Sequence, residues 1–215
     1  MSLYKYNQDF ENPFDKIFYL AVNPILPIFK KIGFTANMIT ALSLMFGLIS
    51  IYFLLHKSLM FIFFFILSYI LDCADGAFAR KYNETSKFGE AFDHLKDVLL
   101  NVLILGTLLY YYSLSLVFII IIFLQYYFTF IFYYLNEMKV LKMKNSDFNI
   151  YTDISKRYSD KKILNYMYII FAFCLYYTVY PVIGDQITTG KLNFFKYFGT
   201  GTLPIVICLI VFLNI

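Results

Sequence analysis

Four aspartates, Asp72, Asp75, Asp93 and Asp97, stand close together in sequence that is otherwise apolar enough to cross a membrane. A charged side chain deep in a helix bundle costs at least a few kcal/mol unless it is paired, hydrated or bound to a cation, so this group requires a compensating partner. Residues three or four apart lie on one helical face. Asp72 and Asp75 therefore share a face, and Gly89, Asp93 and Asp97 share another on a second helix that begins after a short polar turn. A rise of 1.5 Å per residue puts Asp93 and Asp97 roughly 6 Å apart along their axis. Two such helices side by side can enclose two cations at the roughly 3.5 to 4 Å separation of two-metal sites. Four carboxylates are neutralised by two divalent ions, and oxygen-only ligation favours magnesium or manganese over zinc.

These side chains must be carried by membrane elements. The chain has 215 residues, of which 60% are hydrophobic, 22% aromatic and 15% charged, far from the average soluble domain. It reads as a single all-α integral membrane domain over residues 1–215. Apolar runs near the twenty residues a bilayer requires fall at about 36–55, 59–80, 89–112, 114–135, 163–182 and 197–214. They predict a bundle of six transmembrane helices over about 36–214. Tight links at residues 56–58 and around Ser113 make helices one and two, and three and four, antiparallel neighbours. Residues 13–31 are apolar over much of their surface, are interrupted by Pro24 and Pro27, and close on Lys30 and Lys31. An N-terminal amphipathic interfacial helix is expected there.

With a cytoplasmic N-terminus, fourteen of the 18 basic residues fall on the inner side, and the aspartate cluster opens toward the cytoplasm. The net charge of +4 is accordingly read as topology and contact with anionic lipid, not as nucleic-acid binding. The longest polar stretch, 139–162, lies on the same predicted side, either as positive-inside topology or as the border of a site for anionic headgroups. Cys73, Cys174 and Cys208 sit in apolar spans at spacings that suggest neither zinc nor a disulfide framework, so packing is their expected role. The N-terminus lacks the basic, apolar, small-residue order of a cleavable signal, and the first span is expected to direct insertion.

The string Asp72-x2-Asp75-Gly76-x2-Ala79-Arg80-x8-Gly89-x3-Asp93-x3-Asp97 resembles the signature of the CDP-alcohol phosphotransferases at every fixed position. Eight positions at roughly one in twenty each make a chance match rare. Asn37-Met38-Ile39-Thr40, before the first long apolar run, is similar to the family's Pro-Asn-x-x-Thr, with Ala36 where proline is usual. The resemblance implies a phospholipid-synthesising membrane transferase, commonly a homodimer, in which an acceptor hydroxyl attacks the β-phosphorus of a CDP-linked donor and CMP leaves. It implies Asp72, Asp75, Asp93 and Asp97 as ligands of two magnesium or manganese ions, with Asp97 also taking the proton of the attacking hydroxyl. It implies donor contacts from Gly76, Ala79, Arg80 and Gly89: the glycines admit the cytidine, and Arg80 offers a planar fork to a phosphate oxygen. Ser86 either binds the nucleotide or caps the third helix, and Asn37 either reaches the nucleotide or caps the first.

Substrate preference is read from Phe92-Asp93-His94, which resembles the aminoalcohol branch that moves phosphocholine or phosphoethanolamine onto diacylglycerol. Where that branch continues Gly-Cys-Asp, Leu95 and Lys96 precede Asp97 here. The alternative is CDP-diacylglycerol as donor with a polar alcohol such as inositol, inositol phosphate, glycerol phosphate or serine. His94 serves equally as a hydrogen-bonded support of the acidic cluster. More distant readings are an intramembrane prenyltransferase, which normally carries two Asp-rich motifs, and a cation-coupled transporter, which usually shows repeated halves or broken helices. Asp147, Asp153, Asp160 and Asp185 are scattered and form no second cluster in sequence.

Overall fold

The computed structural model describes residues 9–140 and 189–215, and every regular element among them is helical. The order is α1 (Pro13–Val22), α2 (Leu26–Lys31), α3 (Ala36–Leu55), α4 (Met60–Tyr82), α5 (Lys87–Tyr111), α6 (Leu116–Val140), α7 (Thr189–Phe195), a 3-10 turn (Lys196–Phe198) and α8 (Thr202–Asn214). By length and composition α3, α4 and the apolar stretch Gly190–Asn214 suffice to cross a membrane. The spans expected at 89–112 and 114–135 are occupied by α5 and α6. The span expected at 163–182, Cys174 and all of the basic stretch beyond Val140 lie outside the described residues.

The single interfacial helix expected over 13–31 is two helices, α1 and α2. Proline has no N–H: Pro24 cannot continue α1, whereas Pro27 falls in the first turn of α2, where no intrahelical donor is required. Asn12 caps α1, its Oδ1 accepting from the N–H groups of Phe14 (2.9 Å) and Asp15 (3.3 Å). The two helices expose Phe14, Ile17, Leu20, Ile28 and Ile32, while Tyr19, Val22 and Leu26 pack with Leu71, Ala74, Ala77 and Phe78 of α4.

Helix α3 is the strut for the site, because it packs along both α4 and α5. Small residues let the three backbones converge. Ser43 and Ser68 exchange hydrogen bonds with each other's carbonyl, Ser43 Oγ to Ser68 O at 2.9 Å and Ser68 Oγ to Ser43 O at 2.8 Å. One turn on, a Cβ on Gly47 would stand 2.5 Å from a Leu100 methyl and 3.1 Å from Ser68 Oγ. Beyond this crossing, Ile51 and Leu54 of α3, Phe61 and Phe65 of α4, and Leu100, Ile104 and Leu108 of α5 form a common apolar core that Ile207 and Val211 of α8 complete. The helix expected at 197–214 begins later, at Thr202, because the backbone turns at Gly199 and Gly201. A Cβ on Gly199 would meet Asn12 Cβ at 2.8 Å, and one on Gly201 would meet Asp15 Oδ1 at 2.7 Å, so both glycines permit the N-terminal segment to dock.

Candidate metal centre

The second half of α4 carries Asp72 and Asp75, and the first half of α5 carries Asp93, Lys96 and Asp97. The connection between these helices is short and fully punctuated. Asn83 closes α4 in the left-handed conformation at φ 56°, which asparagine tolerates better than most residues. Ser86 opens α5, its Oγ accepting from Gly89 N at 3.0 Å. Between them Glu84 accepts from Ala36 N at 3.0 Å and from Lys30 Nζ at 2.8 Å, so the turn also caps α3 and holds the end of α2. The Lys30 hydrogen bond holds the Glu84 carboxyl below its usual range, and the bond from Ala36 adds to it. Farther along α5, Asn101 donates to Asp97 O at 2.8 Å and accepts from Tyr126 OH at 2.5 Å, tying the turn that bears Asp97 to α6.

Carboxylate oxygens of Asp72, Asp75 and Asp93 all lie within 4.8 Å of one another. Asp97 is outside that group of three and is the most open of the four, its side chain 47% exposed against 7% for Asp75. The spacing of the four therefore yields three converging carboxylates and one at the mouth. Among the described residues Asp75 Oδ2 is fully buried with no hydrogen-bond partner. A buried acceptor left in that state is destabilising unless something else satisfies it, and three converging carboxylates suit a hard, oxygen-preferring cation. The residues present thus fit a divalent ion.

Lys96 lies among them, its side chain 1% exposed. Its Nζ is hydrogen-bonded to Asp72 Oδ1 and to Asp93 Oδ1 (2.8 Å), and stands 3.4 Å from Asp97 Oδ1 and 3.9 Å from Asp75 Oδ2. Lys96 falls inside the apolar run at 89–112, and the family signature gives that position no role. The signal was present: a lysine three residues after Asp93 shares its face, and a lysine inside an apolar helix needs an anion.

The other expected site residues form a rim at the same end of the bundle. A Cβ on Gly89 would stand 2.8 Å from Asn37 Oδ1 and 3.1 Å from Ser86 Oγ, so Asn37, Ser86 and Gly89 converge there. Thr35, not Asn37, caps α3, its Oγ1 accepting from Met38 N at 3.4 Å; the cap reading of Asn37 is thereby corrected, since Asn37 already lies within the helix. The cap reading of Ser86 holds. Arg80 turns back along α4, where a Cβ on Gly76 would be 3.1 Å from Arg80 Nη1, and the guanidinium also lies over the Tyr19 ring at 5.7 Å. Ala79 is half-buried one turn before the helix end, beside the apolar cluster that joins α1, α2 and α4. His94 is half-buried beside Asp93 on α5.

A family model described as CDP-alcohol phosphatidyltransferase matches residues 34–188, a range that contains the acidic centre and its rim. No curated protein and no solved structure matches the chain.

Proposed function

Because the chain belongs to the CDP-alcohol phosphatidyltransferase family, we propose that it synthesises a phospholipid at the α4–α5 centre, moving a substituted phosphate from a CDP-linked donor to an alcohol and releasing CMP. The observation that carries this is the buried Asp75 oxygen, without a hydrogen bond among the described residues, within a convergence of three carboxylates flanked by the Asn37, Ser86 and Gly89 rim. Asp72, Asp75 and Asp93 are the residues to hold divalent metal, magnesium or manganese by their oxygen chemistry, which when bound neutralises the diphosphate.

The remaining work belongs to side chains. Asn37, Ser86 and Gly89 border the space for cytidine, where the missing Cβ of Gly89 allows close approach. Arg80 swings its planar fork from Gly76 to a phosphate oxygen. Asp97, at the mouth, accepts the proton of the acceptor hydroxyl as its oxygen bonds to the β-phosphorus, the bond between that phosphorus and the bridging oxygen breaks, and CMP departs with the electron pair. His94 supports Asp93 from the same helix. In this reading the acidic centre opens toward the cytoplasm, the exposed apolar stripe of α1 and α2 lies in the membrane interface, and two chains form a homodimer.

The donor favoured by Phe92-Asp93-His94 is CDP-choline or CDP-ethanolamine with diacylglycerol as acceptor. Leu95 and Lys96, in place of the glycine and cysteine of that branch, favour the second reading, CDP-diacylglycerol with a polar alcohol. CMP release by the purified chain with magnesium decides between them. Release with only one donor class assigns the branch, and silence with both, together with no donor binding by calorimetry, overturns the proposal.

A further inference from the structure

We propose that Lys96 is a built-in cation: its ammonium takes one of the two cation positions of the acidic centre, so the site takes up a single divalent ion, at Asp75 with Asp72 and Asp93. The inference rests on the transferase reading and deepens it. An ammonium has three N–H groups and no acceptor. Here they face three carboxylates, with Asp72 and Asp93 in hydrogen bonds and Asp97 Oδ1 at 3.4 Å. The fourth carboxylate is left over: Asp75 Oδ2 is 3.9 Å from the ammonium and has no hydrogen-bond partner among the described residues. One ammonium therefore accounts for all but one corner of the centre, and the remaining corner is where an additional cation is needed.

Reach and charge support the same count. Lys96 is three residues after Asp93 and next to Asp97 on α5, so its stem runs along the face that looks at α4, and with 1% of the side chain exposed its charge has no route to bulk water without leaving that face. Among the described residues the charged groups facing it are Asp72 and Asp75 from α4 and Asp93 and Asp97 from α5, with His94 beside them, while α3 carries the neutral Asn37 and Thr40. Four carboxylates and one ammonium leave a formal charge of −3, which one divalent ion reduces to −1. A second ion would have to sit against the ammonium and take oxygens that the ammonium already uses. The cysteine that stands at this position in the aminoalcohol branch leaves those oxygens free, which is the chemical difference that Lys96 introduces.

The test counts ions on the purified full chain with Mn2+ alone, using the loss of the free-ion spin-resonance signal, for wild type, Lys96→Met and Lys96→Arg. Expected are one bound ion per wild-type chain, one for Lys96→Arg and two for Lys96→Met. Chelated Lys96→Met is expected to melt several degrees below chelated wild type and to recover on adding Mn2+, because its four carboxylates have lost the ammonium that lies among them. Lys96→Ala carries the same expectation of two ions if the Met variant does not accumulate. Two ions on wild type, or equal counts on wild type and the charge-removing variants, overturn the inference and leave the transferase reading standing. No ion on any variant overturns the metal centre itself, and this inference with it.

Discussion

Two buried polar centres in this molecule are built from the same side chain and are opposite in kind. At the junction of the chain's two ends, Asp15 is 3% exposed and its carboxylate is saturated by neutral donors. Tyr69 OH donates to Oδ1 at 2.6 Å, and Thr200 Oγ1 and Gly201 N donate to Oδ2 at 2.8 and 3.2 Å. Asn12 closes the same junction by donating to Lys196 O at 2.6 Å and Thr202 Oγ1 at 2.8 Å. In the α4–α5 centre four carboxylates converge on one ammonium, and Asp75 Oδ2 is left without a hydrogen bond. A carboxylate whose lone pairs are all met by fixed donors is a structural tie. A carboxylate that the protein leaves unmet is available to a ligand, and the molecule carries that deficit at a place where a ligand can repay it.

The sharpest way to test the contrast is to remove the carboxylate charge from each centre in turn. Asp97→Asn is expected to lower CMP release by about 10²- to 10⁴-fold, because the hydroxyl loses its proton acceptor. CDP-donor affinity should stay within a few fold, and thermal stability should hardly move, since this carboxylate is the open one. Wild-type turnover in this variant would remove Asp97 from the chemistry. Asp15→Ala should do the reverse. It strands three donors at the buried carboxylate position and should destabilise the folded chain by about 3 kcal/mol, with Mn2+ stoichiometry unchanged. Thermal unfolding in detergent against an ion titration reads both, and a change in ion count would show that the two centres are not independent.

The smallest expected effect lies between the two, at Glu84. Its carboxyl is held below the usual range in the folded chain, so its contribution to stability is present above the ordinary glutamate value and is lost as pH falls through the lower folded one. The pair with Lys30 is half exposed, which keeps that contribution below about 1 kcal/mol. Melting temperature followed from pH 7 down to 3 should therefore fall slightly less steeply in Glu84→Gln than in wild type. Identical slopes would mean that the charge on Glu84 adds nothing to stability.

Much of the acidic centre was legible in the chain because it is written at helical spacing. Asp72 and Asp75 on one face, and Asp93 and Asp97 on another, follow from residues three and four apart. Ser86 before a helix reads as a cap for the same local reason. The boundaries of α3 and α4 likewise follow from continuous apolar runs. Asn37 was harder, since Thr35 and Asn37 are both good caps and only the path of the chain entering α3 chooses between them. The two-helix form of 13–31 was half legible, through the prolines that the sequence displays.

By itself the sequence determined the family, the helical faces and the supply of oxygen ligands, because each depends on residue identity and short spacing along one helix. Only the tertiary structure decided how far apart those faces stand, that Asp97 lies outside the three converging carboxylates, and that the Lys96 ammonium turns in among them. It also brought Asp15 to Thr200 and Gly201, residues some 185 positions away. Distances between helices are set by what packs between them, here the Ser43, Gly47 and Ser68 crossing with Leu100, and no periodicity within a single helix encodes that separation.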